Sequence, residues 1–429
     1  MQIYQDQLAN GLRLVTVDMP HLHSVEMVCY IGAGARHESH RHSGISHFLE
    51  HMLFRGNDLH PSSLALERAF EAVGGAVNAA TDSETTCYFS RLHPDALAEG
   101  TKLFAALLRT PHWNDIDIER RVILEEALED LSESGEMINP DVLTNRLFWP
   151  GHPLSEPTVG RSDSLANIDR SALAAYHHQH YVPSNTVVTM AGRISHEQAL
   201  AAIGSCFSDW TGEKPAPPLA APELPEGGHP ASVWVSDSCS QVSLQLAVQL
   251  PGRRNDDAFP MRIWRRILSW GGASRLMLKL REELGLTYHV EANLSLLDEV
   301  GCLTIDLALQ PDSLAVVVEE VLKQLSIMVR EAVQEEELQR VKRNFRFDID
   351  YSRDHAEDLA VRYGWGQLVG YVRTLEDELA DIDSITSTHL QRVAERCLLP
   401  GRVAMAVVGP WREKERIVVE ELLAGWQPS

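Results

Sequence analysis

At 429 residues the chain is long enough for two or more domains, each with its own core. With 44% hydrophobic and 23% charged residues it has the composition of a globular protein, not of a disordered or fibrous one. The formal net charge of −23, from 38 Lys+Arg against 61 Asp+Glu, argues against nucleic acid or an anionic membrane as partner and favours neutral or basic peptides. Ordinary solubility is the other reading of the same charge.

No apolar run reaches transmembrane length, and the first residues, Met1-Gln2-Ile3-Tyr4-Gln5-Asp6, lack the basic and apolar regions of a signal peptide. The six cysteines (Cys29, Cys87, Cys206, Cys239, Cys302, Cys397) are dispersed without C-x-x-C pairs. They read as buried free thiols in a reducing compartment, so the expected location is the cytoplasm.

In chain order, 12–17 and 25–31 alternate as strands, the second ending at Gly32 and Gly34. A polar loop follows, with His37, His40 and His42 at no regular ligand spacing, and reads as surface. Residues 44–54 then place Ile45, Phe48, Leu49, Met52 and Leu53 at i, i+3, i+4, i+7 and i+8. That is the apolar stripe of an amphipathic helix, bracketed by Gly44 and Gly56. On it, His47 and His51 are four apart and point the same way, with Glu50 on the same side, which makes H-x-x-E-H. Two imidazoles so placed can share one zinc ion, and the carboxylate can hold a metal-bound water. A solvated helix face that carries two histidines by chance is the competing reading, and a third ligand decides between them.

A second helix is expected at about 62–73, then an extended segment of small residues through Asn78, Ala79 and Thr81. Small side chains on a strand let another backbone approach, which suits a peptide docking by strand addition. A strand packed beneath a helix is equally consistent. Helices follow at 94–108 and 115–131. In the latter, Glu119, Val122, Ile123 and Glu126 share one face, which embeds two carboxylates in an apolar stripe. Such groups need a cation or a strong donor. Glu126, 75 residues beyond His51, can complete a His-His-Glu zinc site. Glu119, two turns earlier, can accept the spare N–H of a ligating histidine. Glu125 points about 100° away and reads as solvated.

After a buried-strand pattern at 187–192 comes the clearest linker, the Pro- and Gly-rich stretch 215–230. The expected division is 1–214, carrying the metal site, the linker, and 231–429. The second part repeats the first at an offset of 217: Pro94, Pro183 and Gly192 recur as Pro311, Pro400 and Gly409. Two copies of one α+β unit are therefore expected, each a sheet packed by helices. At that offset Glu126 becomes Arg343, and His47 to His51 fall on Trp264 to Leu268, so the second copy keeps the scaffold without the ligands. Its most distinctive stretch sets Arg281 and Tyr288 about a Gly-containing turn. Both can donate to a peptide carbonyl or an oxyanion, although by residue chemistry alone a surface arginine and a packed tyrosine are the favoured reading.

Together these residues resemble the inverzincin metallopeptidases, the pitrilysin, insulysin and mitochondrial processing peptidase group, and most of all its short bacterial two-domain members. The resemblance spans almost the whole length. It rests on Gly44-x-x-His47-Phe48-Leu49-Glu50-His51, Gly74-Gly75-x-x-Asn78-Ala79-x-Thr81, Glu119-Arg120-x-Val122-Ile123-x-x-Glu126 and the Arg281-x6-Tyr288 pair. It implies two homologous domains with mostly antiparallel sheets, zinc on His47, His51 and Glu126, Glu50 as general base and Glu119 behind a ligand. It further implies that Asn78 and Ala79 lie on the edge strand that pairs with substrate. Arg281 and Tyr288 would contact substrate from the far side of a chamber closed like a clamshell with a second chain. The activity so implied is peptide hydrolysis on short or unfolded substrates, including one dedicated precursor. The partner is a second copy or a metal-less homologue. Non-catalytic scaffold subunits also occur in the family, and the intact His47/Glu50/His51/Glu126 set is what separates the two readings.

Overall fold

The structure, a computed structural model, describes residues 1–428, which form two compact units. The strands are β1 (Gln2–Gln7), β2 (Arg13–Asp18), β3 (Val25–Ile31), β4 (Asn78–Thr81), β5 (Thr86–Leu92) and β6 (Thr186–Gly192), then β7 (Ala231–Ser236), β8 (Val242–Pro251), β9 (Val290–Leu296), β10 (Val300–Leu309) and β11 (Val403–Gly409). The first sheet runs β1-β2-β6-β3-β5-β4 and the second β7-β11-β8-β10-β9. In each, one pair is parallel, β2 with β6 and β7 with β11, and the others are antiparallel.

Apart from β1, the two orders correspond strand for strand, as the 217-residue repeat requires. Shifted by 217, the bounds of β6 fall on those of β11, and those of helix Arg170–His180 on those of Ser387–Cys397. The chain is thus α+β, with two homologous domains.

The compact units are not contiguous in sequence. The first is Met1–Ala127, Glu156–Leu219 and Asp348–Leu375; the second is Leu128–Ser155, Ala220–Phe347 and Glu376–Ser429. This cuts across the expected division at 1–214 and 231–429. Each copy gives one segment to the other, and the segments are equivalent: 348 and 375 less 217 are 131 and 158, within three residues of the 128–155 exchanged in return. The linker marked where the chain is polar and exposed, but not on which sheet its neighbours pack.

In the first unit the incoming segment lies against β3 and β6 so closely that a Cβ on Gly364 would collide with Thr189 Oγ1 and the Tyr30 ring. In the second, helix Pro140–Phe148 packs on β8 and β11 through a polar contact. Thr144 Oγ1 donates to Gln245 Oε1 at 2.6 Å, and Gln245 Nε2 donates to Asp141 Oδ1 at 2.7 Å and Asp306 Oδ1 at 2.8 Å.

The opposite face of the first sheet carries the main core of that unit, where Leu14, Met27, Cys29 and Tyr88 meet Phe48, Phe70, Phe104 and Ile123 from helices. Fully burying one such side chain contributes about 1.5–3 kcal/mol. All six cysteines are free, as expected, but Cys239 is exposed and Cys87 and Cys206 are half-buried, so the expectation of buried thiols holds for three of six. No helix among the described residues is long and apolar enough to cross a membrane.

Candidate metal centre

The motif helix spans Ile45–Leu53, with Ile45, Phe48, Leu49, Met52 and Leu53 all buried. Gly44 precedes it at φ 90°, a left-handed conformation, and a side chain there would strike Val159 O and Gly160 Cα at 2.7 Å. Having no side chain, Gly44 cannot cap the helix itself. Glu38 does so from the preceding loop, accepting from Gly44 N at 2.6 Å and Ser46 N at 2.8 Å. Negative charge at a helix N-terminus also suits the macrodipole. Burial nevertheless raises the Glu38 carboxyl to about 7. The cap fixes the first turn, from which His47 projects.

The second supporting helix is Ile116–Ala127. It is pinned by buried Ile123 and by Arg120, which donates to Leu165 O at 3.1 Å and Ile168 O at 2.6 Å and lies over the Phe48 ring at 5.7 Å. Val122, expected in the apolar stripe, is 47% exposed; the buried line is Glu119, Ile123 and Ala127. A three- or four-residue spacing allows both lines, and packing against the motif helix selects this one.

These two helices bring the predicted ligands together. His47, His51 and Glu126 each offer a donor atom, all within 4.8 Å of one another. His47 Nε2 lies 3.5 Å from Glu126 Oε1, and His51 Nε2 lies 3.6 Å from Glu126 Oε2. Ligands about 2.1 Å from a tetrahedral zinc stand roughly 3.4 Å apart, so the spacing fits an ion seated among them. Donor chemistry agrees. His51 Nδ1 lies 3.1 Å from Glu119 Oε2, and since a carboxylate can only accept, Nδ1 carries the proton and Nε2 keeps its lone pair for the metal.

Burial tends to raise the Glu119 carboxyl, but the His51 hydrogen bond and the Arg55 guanidinium outweigh it and hold the group below the usual carboxylate range. Burial in turn lowers His51 while Glu119 raises it, and the net direction is up. His47 is pushed down to about 4 by burial and by His51, which keeps its imidazole neutral. Its Nδ1 is buried with no hydrogen-bond partner among the described residues, so packing alone holds that ring.

Glu50 is buried beside these ligands, and burial raises its carboxyl. Thr81 Oγ1, at the end of β4, donates to Glu50 Oε2 and leaves Oε1 for a proton. Neither Thr81 nor Arg55, which pairs with Glu119, was assigned a role from sequence, although Thr81 stood inside the glycine-strand motif and Arg55 one turn after His51. Asn78 and Ala79 begin β4, the edge strand of the first sheet, with Asn78 exposed. In the second unit, Arg281 and Tyr288 come together, the guanidinium 5.1 Å from the ring centroid and the tyrosine 83% exposed. The packed tyrosine allowed by residue chemistry is therefore excluded.

Residues 13–160 match the family described as "Insulinase (Peptidase family M16)", and residues 167–345 match the "Peptidase M16 inactive domain". An uncharacterized zinc protease of Mycobacterium tuberculosis is 30% identical over 416 residues, covering 96% of this chain and 94% of that protein. The uncharacterized zinc protease YmxG of Bacillus subtilis is 26% identical over 404 residues, covering 94% and 97%. The chain belongs to the M16 peptidase family, the group of pitrilysin and insulysin. Among solved structures, a protease from Helicobacter pylori superposes with a TM-score of 0.86 at 21% identity, covering 95% of this chain and 99% of that one. A chain of complex III2 from Candida albicans superposes at 0.81 and 17% identity, covering 98% and 100%. These two likenesses concern the fold.

Proposed function

We propose that the chain is a zinc-dependent endopeptidase that hydrolyses short or unfolded peptides, among them a dedicated precursor, inside an enclosed chamber. The observation that carries this is the complete set His47, Glu50, His51 and Glu126, brought together at metal-ligand spacing with Glu119 behind His51. A scaffold subunit, the alternative, has no use for that set. The zinc-protease names of the relatives support the metal and the reaction class.

His47, His51 and Glu126 would hold zinc, which when bound supplies a Lewis acid for the scissile carbonyl and lowers the pKa of water. Glu50, with Oε2 held by Thr81, takes a proton from the attacking water at Oε1 and passes it to the leaving amine nitrogen. Asn78 and Ala79 offer the free edge of β4 to an extended peptide. Tyr288 and Arg281 contribute donors to the peptide backbone and to the developing oxyanion. In this reading they come from the metal-less domain of a second copy, or of a metal-less homologue, that closes over the site. The proposed setting is the cytoplasm, which the dispersed free thiols support.

The test is zinc content and turnover of a quenched basic peptide by the wild type and Glu50→Gln. Expected is about one zinc per chain in both proteins, with turnover lowered by about 10²–10⁴-fold in the variant. A wild type that holds no zinc would favour the scaffold.

A further inference from the structure

Arg36 is the bulkiest fully buried charged side chain among the described residues, at 2% exposure, and the chemistry proposed above does not use it. It stands in the first unit, on the loop between β3 and the motif helix. Its NH1 donates to Glu84 Oε1 at 2.6 Å and its NH2 to the Leu219 backbone carbonyl at 3.1 Å. Glu84 is itself buried, in the turn that joins β4 to β5. A buried ion pair is weak evidence for stability, since desolvation offsets the attraction. Geometry accounts for it better. The planar guanidinium fork meets two acceptors in fixed directions, which an ammonium on a flexible stem does not.

What that geometry fastens is the turn. Arg36 N donates to Ser83 O at 2.7 Å and Ala35 N to Asp82 O at 3.1 Å. A Cβ on Gly34 would stand 2.3 Å from Asp82 O, so the loop lies flush against the turn. The turn is also closed on itself, for Glu84 N, Thr85 N and Thr85 Oγ1 each donate to the Asp82 carboxylate at 2.7 Å. Thr81 and Thr86 stand opposite each other where the turn meets its strands. Thr86 Oγ1 lies 3.3 Å from Thr81 Oγ1 and donates to Ala33 O at 2.9 Å. Residues 33–36 therefore grip both sides of the turn, and Glu38, two residues further on, caps the motif helix.

Thr81 Oγ1 is the one hydrogen-bond donor to the Glu50 carboxylate among the described residues. One loop thus sets both partners of that bond, the helix through Glu38 and the hydroxyl through Arg36. We infer that Arg36 is a positioning residue for Glu50: paired with Glu84, it fixes the β4–β5 turn and so aims the Thr81 hydroxyl at the base. This inference rests on the peptidase reading proposed above. Small displacements matter here, because a misplacement of about 1 Å can lower a rate by about 10²-fold.

The test uses the full-length chain and pairs its substitutions so that no buried charge is stranded. Arg36→Met/Glu84→Met replaces the ion pair by apolar side chains, a change that often preserves stability. Glu84→Gln is the milder variant should the pair fail to fold. With a quenched peptide, kcat should fall about 10- to 100-fold, while KM and zinc content stay within about twofold of the wild type. Thr81→Val should lower kcat to the same extent, and adding it to the paired variant should lower it little further, because both act through one bond. Thr81→Ser, which keeps the hydroxyl, should restore the rate. Hydrogen exchange on the zinc-free chain reads the turn without catalysis. The amides of residues 35, 36, 84 and 85, each bonded within or across the turn, should exchange about tenfold faster or more in the paired variant, and those of 48–53 as before. Losses in kcat that multiply, or turn amides that exchange as in the wild type, overturn the inference. Release of the turn in a chain whose wild type cleaves nothing would discard the peptidase and retain Arg36 as the anchor of Thr81.

Discussion

The helix Ile45–Leu53 in the first unit and the helix Ala258–Ser269 in the second occupy equivalent places in the repeat and have opposite fates. In the first, His47 and His51 are half-buried beside Glu126. In the second, their counterparts Trp264 and Leu268 are fully buried, and the counterpart of Glu126 is the exposed Arg343. One position thus carries a candidate ligand in one copy and a core residue in the other. The first copy keeps polar groups where apolar ones would pack, which is how a binding site differs from its scaffold.

The sharpest way to break this comparison is to graft the second copy onto the first. Glu126→Arg replaces a ligand by a repelled cation at an exposed position, so zinc binding and turnover should vanish while the thermal unfolding profile stays near the wild type. Metal analysis beside calorimetry reads both.

The reverse probe acts on stability alone. Trp264→Ala should cost about 3–5 kcal/mol in urea unfolding, whereas His47→Ala should cost little stability but all of the zinc. If the two substitutions behave alike, the assignment of core to one and ligand to the other is wrong.

A finer probe is Glu119→Gln. The His51 partner keeps its shape but loses its charge, and zinc affinity should drop about 10- to 100-fold by competition with a chelator, with the fold intact.

The smallest effect belongs to Glu38→Ala, which removes the cap of the motif helix and should cost about 1 kcal/mol. Its pH signature has a definite sign. Because the folded carboxyl is raised to about 7, the native chain binds more protons than the unfolded one between the ordinary carboxylate range and that value. The stability linked to this proton is full below that range and is lost as pH rises through about 7. Melting temperatures measured from pH 5 to 8 should therefore fall more steeply in the wild type than in Glu38→Ala.

Much of this centre was legible in sequence because helical periodicity speaks directly about faces. The four-residue spacing of His47 and His51 and the two-turn step from Glu119 to Glu126 each survive into the structure, although Glu126 is exposed and not embedded in an apolar stripe. Val122 did not follow, since a stripe read from one helix does not say where its neighbour sits. Thr81 and Arg55 were illegible as partners for a related reason: the bonds to Glu50 and Glu119 depend on tertiary approach and leave no periodic trace. The repeat was visible through Pro and Gly anchors, whose backbone demands recur with the fold. The exchange of segments was not, because apolar patterning shows that a helix is to be covered but not by which half.

That exchange has a consequence for how the protein is made. The first sheet is complete in its own strands by residue 192, and its unit runs to Leu219, yet its last piece ends at Leu375. At about 5–20 residues per second, the 156 residues from 219 to 375 take roughly 10–30 s to emerge from the ribosome. Throughout that interval β3 and β6 present an uncovered face, and the nascent chain also carries a segment, Leu128–Ser155, whose host sheet does not yet exist. The order of synthesis makes the unit with His47, His51 and Glu126 wait for a segment of the other copy.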